Sequence, residues 1–413
     1  MNRQSNSIVG LLRNLNLRHL RGFLEVVDRG TISAAADRLG TSQPALTQAM
    51  LKLESEVAHP LFERHPRGLI ITCWGLILEA RVRAALHHLT EGGRAVTGRQ
   101  VEPSLRLSMA QIQALLALAD GGSFALAAVR LGRSSAAAQR AVRGLEENLC
   151  KPLVERRGRM ILLSNHGRRL ARSCRLALAE LEAGFIELGQ GMGAPTIAVG
   201  TTPLTRAYLV PEAMARMRAE AVDVGFRVHE GSWGELVEQL RDGLIDVLVG
   251  EIPKEGSRDL ESRALHPTSF VVVSGRQHPL AGKRSVSLDT LAAWPWIVPP
   301  ANSPLRAVWD TLLQGLDVQA PIECGSVMII GRMLTTSNLL SLATPDQVAL
   351  QIRSGLLARV GGPLADEHAI GFTVRRGWRL TTAQSRFLQS LEVVAASIRN
   401  KGLQPSLVEN IWV

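Results

Sequence analysis

Apolar residues recur at helical spacing at Leu20, Phe23, Leu24 and Val27, which predicts an amphipathic helix. A shorter helix is expected over Ile32–Leu39, where Ala34, Ala35 and Ala36 allow close approach and Gly40 stops the run. Thr41 or Ser42 can then cap a third helix through a side-chain oxygen on its free backbone N–H groups, with Pro44 in the first turn, where a missing donor costs little. That helix is expected to reach about Leu53. Helix, short turn and capped helix make the helix-turn-helix arrangement, whose second helix enters the major groove with its N-terminal residues at base edges. Beyond it, Leu69-Ile70-Ile71 after Pro66-Arg67-Gly68 reads as a short strand pair, or wing.

The whole pattern returns 92 residues later. Gly30, Ala35, Ala36, Arg38, Leu39, Gly40, Ser42 and Ala45 match Gly122, Ala127, Ala128, Arg130, Leu131, Gly132, Ser134 and Ala137. Without a gap, Leu53, Glu54, Pro60, Leu61, Glu63, Arg64, Arg67 and Gly75 match Leu145, Glu146, Pro152, Leu153, Glu155, Arg156, Arg159 and Gly167. Glycine and proline punctuation aligns as well as the apolar positions, which two unrelated alanine-rich stretches would not do. Gly132 is the stop of the second copy and Ser134 its cap, with Arg157 and Arg159 at the wing tip. A long helix follows each copy. The second, from about Gly167 to Leu188, puts Leu170, Cys174, Ala177, Leu181, Phe185 and Leu188 on one stripe. The stripe could pack within its own domain, but DNA half-sites are usually paired, so we expect it to build a dimer.

After Gly189-Gln190-Gly191-Met192-Gly193, which reads as a hinge, strands and helices alternate: a strand at Ile197–Gly200, a helix at Ala207–Arg218, a strand at Phe226–His229, a helix at Trp233–Leu240 and a strand at Ile245–Gly250. The alternation predicts parallel strands with crossover helices. Ligands bind at the carboxyl ends of such strands, which points to Thr201, Thr202, Ser232 and Glu251. A second lobe is expected from Phe270–Val273 onward, holding Trp294–Val298, Asn302, Ser303 and Ser326, with return strands at Leu339–Ala343 and Ile370–Val374. The expected boundaries are 15–75 and 105–167 for the winged domains, 76–104 and 168–192 for linker helices, and 193–400 for the α/β domain.

Charge sharpens this division. Residues 1–200 carry 26 basic and 16 acidic side chains, whereas residues 201–413 carry 21 of each, so the whole excess of +10 lies in the repeated half and points to a polyanion there. Aromatic content is 4%, with a single tyrosine, Tyr208, which argues against single-strand stacking platforms and for double-stranded DNA. The four cysteines, Cys73, Cys150, Cys174 and Cys324, form no C-x-x-C, so no metal site and no disulfide framework is expected, and a reducing cytoplasm fits. Cys324 is the only cysteine beyond residue 200, which excludes a disulfide switch within that half. The start of the chain has only a five-residue apolar patch at Ile8–Leu12 and no cleavage pattern, and no run nears the roughly 18 apolar residues of a membrane span, so no membrane partner is expected. Nucleophile, zinc-protease, phosphate-loop and dinucleotide motifs are missing, and His229, His266, His278 and His368 are scattered; neither catalysis nor a cofactor is expected.

Once the core is assigned, Gln43, Thr47, Gln48 and Lys52 remain on the first recognition helix, where Gln can read adenine and Thr can meet a phosphate or a thymine methyl. The second offers Arg133, Ser135, Gln139, Arg140 and Arg143. From Lys151 to Arg175 there are eight basic residues against Glu155 alone, which reads as phosphate contact beside a recognition helix. Thr201-Thr202 can bind a carboxylate through hydroxyls and backbone N–H groups, or simply cap a helix.

These residues carry a family resemblance. Leu20-Arg21-Gly22-Phe23, Ala34-Ala35-Ala36, Leu39, Thr41 through Gln48, Leu53-Glu54 and Pro60-Leu61-Phe62-Glu63-Arg64 resemble the signature of LysR-type transcriptional regulators. Val249-Gly250, His278-Pro279-Leu280 and Glu323-Cys324-Gly325-Ser326 resemble that family's effector domain. The resemblance implies two tandem α-rich winged helix-turn-helix domains plus a two-lobed α/β domain of the periplasmic-binding-protein type. It also implies an operator as partner, a small-molecule inducer between the lobes, and a homodimer or homotetramer. The second winged copy resembles a minority subgroup, some of whose members are linked to sugar or aromatic-acid genes such as those for gallate. In the family pattern Ser42, Gln43, Pro44, Thr47 and Gln48 match groove-facing positions, while Ser135, Ala136 and Gln139 replace three of them in the second copy. Thr201, Thr202, Asn302, Ser303 and Ser326 fall where family ligands are held. The competing class is a solute-binding protein or enzyme of α/β type with basic accessory helices.

Overall fold

The computed structural model describes residues 15–400, apart from 67, 100, 101, 103–105, 159, 191–193, 254, 302, 365 and 366. Its chain divides into two compact units with the boundary between Pro195 and Thr196.

In the first unit, α1 (Leu17–Arg29), α2 (Ile32–Leu39) and α3 (Gln43–Val57) are followed by the strands β1 (Phe62–His65) and β2 (Gly68–Ile71) and by the long helix α4 (Cys73–Thr97). The second copy gives α5 (Met109–Gly121), α6 (Phe124–Leu131), α7 (Ser135–Leu149), β3 (Val154–Arg157), β4 (Met160–Leu163) and α8 (Asn165–Glu187). Each wing is an antiparallel pair, β1 with β2 and β3 with β4. The recognition helices run four residues beyond Leu53 and Leu145, because Val57 and Leu149 are buried and hold one more turn against the core.

The copies agree in hydrogen bonds as well as in elements. Gly40 and Gly132 end the helices before the turn at φ 63° and 61°, a left-handed conformation that costs glycine least. Ser42 Oγ accepts from Ala45 N at 3.3 Å and Ser134 Oγ from Ala137 N at 3.2 Å, so the serine, not Thr41, caps the first recognition helix. A carboxylate at the far end of each recognition helix ties down the wing: Glu54 Oε1 accepts from Leu61 N at 2.8 Å, and Glu146 Oε1 from Leu153 N at 2.7 Å. Thr72 Oγ1 donates to the Pro60 carbonyl at 2.7 Å and Ser164 Oγ to that of Pro152 at 2.8 Å, fixing where each long helix begins.

Helices α4 and α8 pack against each other along their length. The stripe Leu170, Cys174, Ala177, Leu181, Phe185 and Leu188 is buried, in one cluster with Leu78, Val82, Ala85, Leu89 and Val96 of α4. The expectation that this stripe builds a dimer is therefore corrected, because the same apolar face is covered by a helix of its own chain. Each buried Leu or Phe contributes roughly 1.5–3 kcal/mol, enough to make this pairing the backbone of the unit. Burial pushes the Cys174 thiol up to about 12, so it acts as an apolar packing residue. Close approach is set by two glycines. A Cβ on Gly92 would meet that of Ser173 at 2.5 Å, and one on Gly184 would meet that of Arg81 at 3.1 Å. Arg81, its side chain 5% exposed, donates to Glu180 at 2.9 Å and to Glu187 at 3.0 and 2.5 Å. Burial opposes its charge, yet the two carboxylates outweigh this and hold the guanidinium above its ordinary value.

The second unit has two sheets. The first, in the order β6-β5-β7-β14-β8, holds β5 (Thr196–Thr201), β6 (Gly225–Glu230), β7 (Val247–Glu251), β8 (Leu260–Ser269) and β14 (Glu367–Arg375). The second, β11-β10-β12-β9-β13, holds β9 (Val271–Gly275), β10 (Trp296–Val298), β11 (Ile322–Glu323), β12 (Leu340–Ala343) and β13 (Leu357–Val360). Helices α9 (Leu209–Ala219), α10 (Trp233–Arg241), α11 (Leu288–Ala292), α12 (Pro304–Leu312), α13 (Val327–Thr336), α14 (Pro345–Arg353) and α15 (Thr382–Asn400) complete it. Two expectations are corrected. Both sheets are mixed, since β14 runs antiparallel to β7 and β8, and β9 antiparallel to β12 and β13. The strand at Ile370–Val374 belongs to the first lobe. The chain passes from β8 directly into β9 and returns from β13 to β14, and such direct passages supply no crossover helix to make their strands parallel.

Candidate nucleic-acid interface and effector cleft

The first recognition surface is built by the turn between α2 and α3. Thr41, Ser42, Gln43, Pro44, Gln48 and Lys52 are exposed, whereas Leu46, Met50 and Leu53 are buried beneath them. Thr47 is half-buried and its hydroxyl donates to the Gln43 carbonyl at 2.9 Å, which leaves its methyl and the two oxygen lone pairs for a ligand. In the second copy Arg133, Ser134, Ser135, Gln139, Arg140 and Arg143 are exposed over buried Ala138, Val142 and Leu145. No carboxylate pairs with Arg133, Arg140 or Arg143 among the described residues. Arg67 and Arg159 lie outside the described residues, as does the side chain of Arg157.

The basic run from Lys151 to Arg175 is not uniform. Arg175 pairs with Asp120 at 2.7 Å, and Arg83 pairs with Asp28 at the equivalent place in the first copy. Arg168 donates to the Leu163 carbonyl at 2.8 Å and to Asn165. These arginines brace the long helices on their own copies, while Lys151, Arg156 and Arg169 are exposed.

The residues expected to hold an effector are dispersed. Thr201 is buried at the end of β5, with its hydroxyl 2.9 Å from that of Thr205, which in turn donates to the Val249 carbonyl at 2.8 Å. Thr202 is 1% exposed and its hydroxyl has no hydrogen-bond partner, and Gly250 beside it makes the room, since a Cβ there would lie 2.5 Å from the Thr202 methyl. One carboxylate oxygen of Glu251 is likewise buried without a partner. Ser232 caps α10 with Glu235 in a reciprocal box, so its hydroxyl is occupied. Ser303 caps α12 and Ser326 stands at the start of α13. Asn302 lies outside the described residues.

A cavity enclosing about 570 Å³, its open mouth included, lies beside Pro203, Pro299, Pro300, Ser303, Cys324 and Gly325 and is floored by Ile330, Leu342, Val348 and Leu357. Of the four sequence candidates among the described residues, only Ser303 lines it. Its polar groups are engaged internally: the Gln347 amide donates to the Pro203 carbonyl at 2.8 Å and Ser303 Oγ to that of Pro300 at 2.8 Å. Arg206, which sequence reasoning missed, reaches from the first lobe to the Gly325 carbonyl of the second at 2.9 Å and to Glu230 at 2.9 Å. Prolines and aliphatic residues carry no chemical signal in a sequence, and only folding brings these walls together.

Comparison with known proteins agrees with this geometry. The family profile described as "LysR substrate binding domain" matches residues 190–395, and that described as "Bacterial regulatory helix-turn-helix protein, lysR family" matches twice, at 17–75 and 109–168. The chain is 30% identical over 371 residues to the HTH-type transcriptional regulator GalR of Pseudomonas putida, covering 88% of this chain and 93% of that one. It is 27% identical over 302 residues to the HTH-type transcriptional regulator PcaQ of Agrobacterium fabrum, covering 71% and 96%. Among solved structures, ArgP from Mycobacterium tuberculosis superposes with a TM-score of 0.56 at 15% identity, over 71% of this chain and 97% of that one. A full-length OxyR variant from Pseudomonas aeruginosa gives 0.54 at 19% identity, over 74% and 99%; both likenesses concern the fold alone. Fold and surfaces together define a DNA-binding transcriptional regulator with an effector-binding domain. The chain belongs to the LysR family.

Proposed function

We propose that both winged copies touch operator DNA, the first reading bases through Ser42, Gln43, Pro44, Thr47, Gln48 and Lys52 and the second adding phosphate contacts through Arg133, Ser135, Gln139, Arg140 and Arg143. The carrying observation is that both recognition helices leave these residues, apart from half-buried Thr47, exposed over a buried core. The wing arginines Arg67, Arg157 and Arg159 join them, with Thr41 and Ser134 at the helix starts. Winged domains at 15–75 and 105–167, linker helices at 76–104 and 168–192, and an effector domain at 193–400 complete this reading. The protein acts in the cytoplasm as a homodimer or homotetramer and has no enzymatic activity of its own. Among the described residues no helix is long and apolar enough to cross a membrane.

The effector is a small molecule held between the lobes by Thr201, Thr202, Asn302, Ser303 and Ser326. Apolar walls favour an aromatic acid over a sugar, whose hydroxyls would face groups that cannot pair with them. Thr202→Val tests the site. The wild-type hydroxyl is buried without a partner, so its removal leaves stability unchanged or slightly raised. We expect DNA affinity to be retained and the response to a panel of aromatic acids, read as a change in DNA affinity, to vanish. A retained response removes Thr202 from the site, and joint loss of DNA binding and response marks a folding defect in place of a site defect.

A further inference from the structure

We propose that a single chain occupies both half-sites of one operator, and that this operator is not palindromic. The inference rests on the DNA-reading function above and adds to it the form of the partner.

Its first support is an internal dyad. Ser173 stands 92 positions after Arg81, and Gly184 stands 92 after Gly92. The close contacts Gly92 to Ser173 and Gly184 to Arg81 are therefore the same contact with the copies exchanged, which is the property of an isologous two-fold interface. For two antiparallel helices packed side by side, the rotation that exchanges them has its axis perpendicular to the pair. Rotation leaves height along that axis unchanged, so the two recognition helices sit at one level and turn equivalent faces to the same side. Each winged copy precedes the N-terminus of its own long helix, so the copies lie at opposite ends of the pair. Helix α4 has 25 residues and spans roughly 37 Å at 1.5 Å per residue, close to the approximately 34–36 Å that separates half-sites one turn apart on duplex DNA.

The second support is a charge lock that the dyad does not repeat. Arg81 of α4 is matched by Glu180 and Glu187 of α8, but the equivalent set in the other direction is Ser173, His88 and Ala95. Pairing α4 with the α4 of another chain in this register would bury Arg81 opposite His88 and Ala95. Pairing α8 with α8 would bury Glu180 and Glu187 opposite Ser173. Both leave buried charge without a partner, so the lock specifies α4 with α8.

The third support is that the two readers differ. At equivalent positions Gln43 faces Ser135, Pro44 faces Ala136, Gln48 faces Arg140, Leu51 faces Arg143 and Lys52 faces Gly144. Glutamine pairs with the N6 and N7 of adenine, whereas arginine pairs with the O6 and N7 of guanine. One half-site is thus read for adenine where the other is read for guanine, Arg140 making this base contact in addition to the phosphate contacts proposed for its helix.

The test selects duplexes from a random-sequence pool with the full-length chain, then repeats the selection with Gln48→Ala and with Arg140→Ala, both at exposed positions. Enrichment of two unlike half-sites at fixed spacing is expected, with each variant erasing preference in one half only and losing at least about tenfold in affinity for the selected duplex. The two variants are then mixed. Because each chain supplies both readers, the mixture should bind no better than the variants separately. A palindromic motif, or recovery of binding on mixing, overturns the proposal while leaving a DNA-binding protein. No enrichment at all overturns the DNA-reading function together with it.

Discussion

Replacing Arg81 by alanine is expected to lower the stability of the first unit by about 3–5 kcal/mol, the usual cost of removing one partner of a buried ion pair. Glu180 and Glu187 would remain between α4 and α8, 11% and 24% exposed, with no cation to meet them. The pair Arg83 with Asp28 provides the internal control. Those side chains are 42% and 48% exposed, and Arg83→Ala should cost no more than about 1 kcal/mol. Urea unfolding of the three proteins checks the contrast. Equal losses would mean that the Arg81 cluster is not what holds the helices together. Replacing Arg81, Glu180 and Glu187 together by apolar residues should restore much of the loss, because the desolvation penalty leaves with the charges.

Reversing Arg140 and Arg143 to glutamate is expected to weaken operator binding at least a hundredfold at low salt. It should also flatten the dependence of log affinity on log salt by about 2, since each lost phosphate contact removes about 0.9 from the slope. Both side chains are exposed and without carboxylate partners among the described residues, so the fold should be unaffected. Titration of a labelled operator at several salt concentrations measures both quantities. Unchanged affinity and slope would reduce the second copy to a scaffold.

Much of the first unit was legible in the sequence because its signals are local. Gly40 with Gly132 and Ser42 with Ser134 fix turns and caps within a few residues of themselves, and Pro60 with Pro152 fix helix starts 12 residues on. The partner of the α8 stripe was not legible. An apolar stripe states that it must be covered, and what covers it depends on residues nearly a hundred positions away. The same limit applies to Arg81, whose partners lie about a hundred residues downstream, and to the mixed sheets, where strand direction follows from a passage between lobes. At the candidate effector cleft the sequence pointed to hydroxyls, and the fold placed that of Thr201 in an internal hydrogen bond, left that of Thr202 without a partner and, among the described candidates, put only Ser303 on the cavity wall. Those walls are prolines and aliphatic side chains, which read in a sequence as ordinary core.

The account stands most directly on a footprint of the full-length protein on the DNA upstream of its own gene, taken at two salt concentrations. It predicts protection of two adjacent major-groove segments on one face of the duplex, weakening together as salt rises. Protection of a single groove segment, or none at either salt concentration, would contradict the claim that both winged copies read the operator.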